Sequence, residues 1–198
     1  MMERGLRIGL FGGAFDPVHN GHIKVAGSFL SSNLIDELHL LPTASPPHKE
    51  LPNKTSFHHR SKMLRLAFSG MDRVIVNGIE NNLSQPSYSL QTIEHLQTRY
   101  PSNTYFLCIG EDNLTSFHKW HKYREILDRV ILLVAARPGF ESHQQDSEIL
   151  ENAVFVDHEE IEISSTDIRS ADDPVSFEGE IPDAVLDYIR KHKLYSDR

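Results

Sequence analysis

Leu6-Arg7-Ile8-Gly9-Leu10-Phe11-Gly12-Gly13-Ala14-Phe15-Asp16-Pro17-Val18-His19-Asn20-Gly21-His22 is the stretch on which the fold turns. Leu6 to Phe11 reads as a buried strand running into a glycine-rich turn. Gly21 to Leu34 then reads as a helix, with Ile23, Ala26, Phe29 and Leu30 on one side. Strand, glycine turn and helix, in that order, is where an α/β fold places a phosphate. Two glycines let the backbone approach a ligand closely. The helix start offers unpaired N–H groups and the positive end of its dipole. His19 and His22 are three apart, so both can face one ligand there. The stretch lacks the G-x-G-x-x-G of a dinucleotide fingerprint and the Gly-Lys-Ser/Thr of a Walker loop. Read alone, it is also what a tight turn with two capping histidines looks like.

Outward from this stretch the same alternation repeats. Glu37 to Leu41, Arg73 to Asn77, Thr104 to Ile109, Val130 to Ala135 and Ala153 to Val156 read as short strands. Phe57 to Met71, Ser89 to Tyr100 and Pro182 to Leu194 read as helices, and Leu114 to Leu127 holds one or two short ones. Pro42, Pro46, Pro47 and Pro52 make the stretch from Pro42 to Ser56 a loop, of a length that is often functional. Glu141 to Asn152 is polar, either a surface helix or a loose excursion. Short apolar strands separated by helices imply a parallel sheet covered on both faces. The expectation is an α/β protein: a Rossmann-like doubly wound parallel sheet in a single domain over 1–198, with a small C-terminal helical part from about 164. Ligands of such sheets bind at the carboxyl ends of the strands, near the topological switch point.

The composition of the 198 residues agrees: 39% are hydrophobic and 24% charged, as in an ordinary globular protein. Lys and Arg number 20 against 28 Asp and Glu, a formal charge of −8. That balance disfavours non-specific nucleic-acid binding, which rests on neutralising phosphates. A single cysteine, Cys108, excludes an intrachain disulfide and a Cys-rich zinc site. No apolar run approaches the ~18 residues of a membrane span, and Met1 to Phe11 lacks a signal-peptide apolar segment. The expected location is therefore cytoplasmic, with no membrane partner. Among the 12 histidines, the pairs His118/His121 and His58/His59 lack the carboxylate spacing of a zinc site.

A second motif, Ile163-Ser164-Ser165-Thr166-Asp167-Ile168-Arg169, carries hydroxyls that cap a helix start and an arginine one turn in, a geometry able to grip an anion. On its own it is equally a plain N-cap. Together the two motifs resemble the nucleotidyltransferase superfamily with the His-x-Gly-His element. The first matches its Gly-Gly-x-Phe-Asp-Pro-x-His-x-Gly-His signature and the second its Ser-Ser-Thr-x-Ile-Arg signature. Within it, the chain is most similar to the bacterial nicotinate-nucleotide adenylyltransferase family. Ala14 stands where that family usually has threonine. The change removes one hydroxyl near the phosphates and leaves backbone N–H contacts available.

The resemblance implies transfer of AMP from ATP to nicotinate mononucleotide, with Mg²⁺ held mainly by substrate phosphates and no protein metal ligands. It implies catalytic roles for His19, His22 and Arg169. It places ATP against Gly12, Gly13, Ala14, Phe15, His19, His22, Gly110, Asp112, Arg137, Ser164, Ser165, Thr166 and Arg169. Arg137 comes from an Arg-Pro-Gly turn, and Gly110 and Asp112 from a Gly-x-Asp run. The mononucleotide falls to Thr43, His48 and Lys49 of the proline-rich loop, to Tyr88, Ser89 and Thr92 of a Ser-Tyr-Thr-like stretch, and to Trp120 and His121. Ser89 replaces the family's commoner threonine, and His121 a position that is often tyrosine. Two alternatives share parts of this pattern: a sibling transferase acting on phosphopantetheine or glycerol phosphate, and a non-catalytic nucleotide sensor. A tRNA synthetase fragment shares the His-x-Gly-His element, but this chain is short and acidic.

Overall fold

The computed structural model describes residues 5–44, 55–136, 146–159, 163–171 and 174–195. Within them six strands form one sheet: β1 (Arg7–Gly13), β2 (Glu37–Pro42), β3 (Val74–Val76), β4 (Thr104–Gly110), β5 (Ile131–Ala136) and β6 (Ala153–Asp157). Their order is β3-β2-β1-β4-β5-β6 and every neighbouring pair is parallel. This is the doubly wound order, reversing between β1 and β4. The helices are α1 (Asn20–Ser31), α2 (Phe57–Ala67), α3 (Ser89–Arg99), α4 (Glu111–Ser116), α5 (Tyr123–Leu127), α6 (Ser147–Glu151), α7 (Ser165–Ser170) and α8 (Asp183–His192). No helix among the described residues is long and apolar enough to cross a membrane.

Strand alternation sorts the core into two layers, because successive side chains point to opposite faces. Ile8 and Leu10 of β1, Leu107 and Ile109 of β4, and Leu132 and Val134 of β5 share one face, under α3, α4 and α5. Phe11, Leu38 and Leu40 with Phe106, Cys108 and Leu133 share the other, under α1 and α2. Ile168 of α7 and Val185, Leu186 and Ile189 of α8 join this second cluster, so the C-terminal helices help to cover the sheet.

Element ends shift for local reasons. Gly12 and Gly13 are the last two residues of β1 rather than a turn, because the ladder to β2 continues through Leu41 and Pro42. The turn proper is 14–18, with Phe15 at φ 48° and a cis Asp16–Pro17 bond. Helix α1 stops at Ser31, three residues short of expectation. Asn33 there adopts φ 57°, a left-handed conformation that asparagine tolerates. Helix α2 ends at Ala67 where Phe68 leaves helical geometry. Helix α4 begins at Glu111, directly off β4 and earlier than Leu114, with Gly110 as its extended N-cap. Within the polar stretch, 147–151 forms α6, and Ile149 gives it an anchor in the core.

Candidate active site

From the reversal point the chain leaves β1 toward α1 on one face and β4 toward α4 on the other. Two cavities open beside these strand ends. The first, of ≈ 300 Å³, lies on the α3 side, and the second, of ≈ 180 Å³, on the α1 side.

The loop after β1 is held by its carbonyls. Thr43 N–H donates to Gly13 O at 2.9 Å. Arg60 Nη1 donates to Ala14 O at 2.6 Å, Arg169 Nη1 to Asp16 O at 2.6 Å, and Ser165 Oγ to Pro17 O at 2.8 Å. The Asp16 carboxylate is fully buried and accepts from Tyr195 Oη at 2.6 Å and from Thr55 N–H at 3.3 Å. Burial and the neighbouring Asp16 charge raise the Tyr195 phenol above its ordinary value, so it stays a donor.

His19 is the extended N-cap of α1 and is buried. Its backbone N–H donates to His22 Nδ1 at 3.3 Å, which leaves the neutral ring's proton on Nε2 of His22. The two rings lie 3.8 Å apart, and Phe15 supports His22 edge-on at 5.0 Å. Burial pulls the His19 imidazole down to about 4. Burial, and then the adjacent His19, hold His22 well below its ordinary value. Both are therefore neutral N–H donors at pH 7. His19 Nδ1 is buried against the first turn of α1, with no full hydrogen bond among the described residues.

Six residues expected at the mononucleotide line the first cavity together: Thr43, Tyr88, Ser89, Thr92, Trp120 and His121. Its floor is apolar, from Leu10, Leu41, Leu107 and Ile109. Tyr88 and His121 stack at 4.3 Å. The start of α3 opens onto this space, and first-turn N–H groups have no intrahelical acceptor. Thr92 Oγ1 is buried there with no partner among the described residues. His48 and Lys49 lie outside the described residues.

The second cavity brings together His19, His22, Gly110 and Asp112. Gly12 and Gly13 line the first cavity instead. Phe15 is buried in the core and reaches neither cavity with its ring. Ala14 sits in the loop, with its carbonyl held by Arg60. Ser164 caps α7, accepting Asp167 N–H at 3.1 Å. Ser165 and Arg169 stitch α7 to the first motif through Pro17 and Asp16, and Thr166 Oγ1 accepts from Arg169 Nη2 at 3.2 Å. The second motif thus abuts the first, while only the preceding Ile163 lines the second cavity. Arg137 lies outside the described residues.

Sequence reasoning missed several contributors. Glu80 and Ser87 line the first cavity, and Ser87 Oγ donates to Glu80 Oε2 at 3.1 Å. Asn113 also lines it. Glu111 and His158 line the second, with His158 Nδ1 3.2 Å from Ser28 Oγ. An available signal for His158 was a polar residue just past a strand at the carboxyl edge of the sheet. Nothing in the local pattern marked Glu80.

The cytidylyltransferase-like family model matches residues 10–171, which spans both motifs. A nicotinate-nucleotide adenylyltransferase of Bacillus subtilis is 36% identical over 192 residues, covering 96% of this chain and 98% of that one. The chain belongs to the nicotinate-nucleotide adenylyltransferase family. A probable nicotinate-nucleotide adenylyltransferase of Oceanobacillus iheyensis is 35% identical, covering 95% and 96% of the two chains. The fold matches that of Plasmodium falciparum nicotinic acid mononucleotide adenylyltransferase, solved in complex with NaAD. That match has a TM-score of 0.79 at 20% identity and covers 98% of each chain. As a member of this family the chain is a nucleotidyltransferase, and enzymes of this kind work with a divalent cation and nucleotide substrates.

Proposed function

We propose that this chain joins ATP and nicotinate mononucleotide to give nicotinate adenine dinucleotide and pyrophosphate, a step of NAD synthesis. The observation that carries the reading is the pair of cavities flanking the β1–β4 reversal. One is walled by neutral histidines at a helix start, the other by aromatic and hydroxyl side chains over an apolar floor. The first cavity takes the pyridine ring of the mononucleotide, with Trp120 offering a π-face. The positive end of α3 favours a carboxylate over an uncharged amide on that ring. The second cavity takes the adenine nucleotide, with Asp112 accepting from ribose hydroxyls.

The chemistry needs no protein nucleophile. An ionised phosphate oxygen of the mononucleotide attacks the α-phosphorus of ATP. One P–O bond forms, the bond to the β-phosphate oxygen breaks, and its electron pair leaves with pyrophosphate. Catalysis is positioning plus stabilisation of charge. His19 and His22 donate to the α- and bridging oxygens from a pre-set, desolvated geometry. Thr166 and Arg169 hold the departing β- and γ-phosphates, while Ser164 and Ser165 fix the start of their helix through Asp167 and the Pro17 carbonyl.

The donor set fits a Mg²⁺ ion carried on phosphate oxygens. Glu111 and Asp112 are the carboxylates that line the second cavity, and no trio of His, Cys, Asp or Glu converges among the described residues. When bound, the ion neutralises charge that builds on the leaving pyrophosphate. The test is Mg²⁺-dependent pyrophosphate release from ATP with nicotinate mononucleotide, nicotinamide mononucleotide and phosphopantetheine compared side by side. Strong preference for the first is expected. Release with phosphopantetheine alone would overturn the substrate assignment, and ATP binding without release would overturn the reaction.

A further inference from the structure

Arg60, in the first turn of α2, is 1% exposed and lines neither cavity. Among the described residues its guanidinium makes three hydrogen bonds, all to backbone carbonyls and each on a different segment. Nη1 donates to Ala14 O at 2.6 Å, Nη2 to Thr43 O at 2.7 Å and Nε to Thr55 O at 3.0 Å. Ala14 belongs to the loop that follows β1. Thr43 is wall of the first cavity. Thr55 is in turn tied by its N–H to the Asp16 carboxylate. One rigid fork therefore spans the loop on the ATP side, the wall on the acceptor side and the approach to α2. Asp16 and Glu80, both buried carboxylates, are the charges that interact with it.

Such a group is an expensive way to stabilise a core. Taking a cation out of water is costly, and apolar residues of similar volume commonly do as well or better. Among the described residues Arg60 directs none of its donors to the sheet or to another helix. They go to loops that hold the two halves of the site. We propose that Arg60 is a positioning residue that sets the ATP loop and the acceptor cavity in register, so that the acceptor phosphate meets the α-phosphorus in line. This inference rests on the reaction proposed above.

The test compares the whole chain with Arg60→Lys and Arg60→Gln. Lysine keeps the charge as a point donor that cannot span three carbonyls, and glutamine removes the buried cation. Having both keeps the test alive where one fails to fold. Leu186→Ala, in α8 and the core layer it covers, supplies a variant of lowered stability that removes none of these hydrogen bonds. Wild-type pyrophosphate release with nicotinate mononucleotide comes first, since its absence defeats the reaction and not the role of Arg60. With that release in hand, kcat of either Arg60 variant is expected to fall about 10- to 100-fold. Affinity for a non-hydrolysable ATP analogue should stay within about threefold, because the contacts of the second cavity remain. Leu186→Ala should keep its kcat at the same temperature. Arg60 variants that turn over within twofold of wild type would overturn the proposal. So would a loss in Leu186→Ala equal to theirs, which would make the effect one of stability.

Discussion

Gly21 offers a sharp test of whether the placement of the His19 ring matters. It is the second residue of α1, and a methyl group built on it would lie 2.9 Å from His19 Nδ1, 3.0 Å from its Cε1 and 3.2 Å from Ile163 Cγ2. Ordinary contacts between such atoms sit at about 3.5–4.0 Å. The ring must therefore retreat by roughly half an ångström or more in Gly21→Ala. Ile163 closes the other side of the methyl, and the His22 ring lies only 3.8 Å from that of His19. Stability moves little, because alanine gains up to about 1 kcal/mol over glycine in a helix and the crowding offsets it. The melting temperature should stay within about 4 °C of wild type. Turnover should not: a misplacement of this order in a positioned group costs about 10- to 100-fold. Pyrophosphate release at saturating ATP and nicotinate mononucleotide measures it, beside a thermal melt. A kcat within twofold of wild type at an unchanged melting temperature would refute the reasoning. A melting temperature lowered by ten degrees or more would refute the claim that the disturbance is local.

Removing His22 altogether, as His22→Ala, should lower kcat by about 10²- to 10³-fold, the usual cost of a lost charge-stabilising donor, while the protein still folds. Near-normal turnover would remove His22 from the mechanism. Trp120→Ala should raise the KM for nicotinate mononucleotide by about 5- to 150-fold, since ring stacking is worth about 1–3 kcal/mol. ATP-analogue affinity should be unmoved, and an equal loss for both ligands would place Trp120 in the framework instead. The buried histidines also set an acid limit. His19 folds with its imidazole pulled from 6.5 to about 4, so below pH 6.5 the unfolded chain binds the extra proton first. The stability it leaves intact above pH 6.5 is lost as pH falls toward 4, by about 3 kcal/mol for this group. Denaturant melts across that range should show the slope, and His19→Asn should flatten it. An unchanged slope would mean that His19 is not buried neutral.

How much of this was legible in the sequence follows from which interactions leave a local mark. The sheet was readable because β1, β4 and β5 are short and apolar on both faces, and only a parallel sheet between helix layers hides both. The helix starts at Ser89 and Ser165 fall next to hydroxyl or aromatic residues that cap them. Ends were harder where a tertiary contact decides. Gly12 and Gly13 carry turn composition, yet the ladder to β2 outbids it. Helix α4 starts at Glu111 because Gly110 ends β4 in extended geometry, which no periodicity reports. In the site, the side chains that line the first cavity, such as Thr92, Trp120 and His121, could be named through the family resemblance of the motifs that carry them. Arg60 could not. Its acceptors are carbonyls of Ala14, Thr43 and Thr55, and a carbonyl has no residue signature.

Those carbonyl contacts also fix which way the loop after β1 turns its N–H groups. A trans peptide is planar, with its C=O and N–H pointing in opposite directions. The Gly13 carbonyl is turned to Thr43, the Ala14 carbonyl to Arg60 and the Pro17 carbonyl to Ser165. The N–H groups of Ala14, Phe15 and Val18 on the same peptides are thereby aimed away from those anchors. The anchors are buried or half-buried, so the loop presents donors on its other side. Two arginines, Arg60 and Arg169, grip its oxygens. The loop is then a set of fixed dipoles ahead of the α1 N-terminus, strongest where water is excluded. Ala14 has no side-chain donor, so the only donor it can present is its backbone N–H. The direction of that N–H is set by the Gly13 carbonyl and Thr43 rather than by its own side chain.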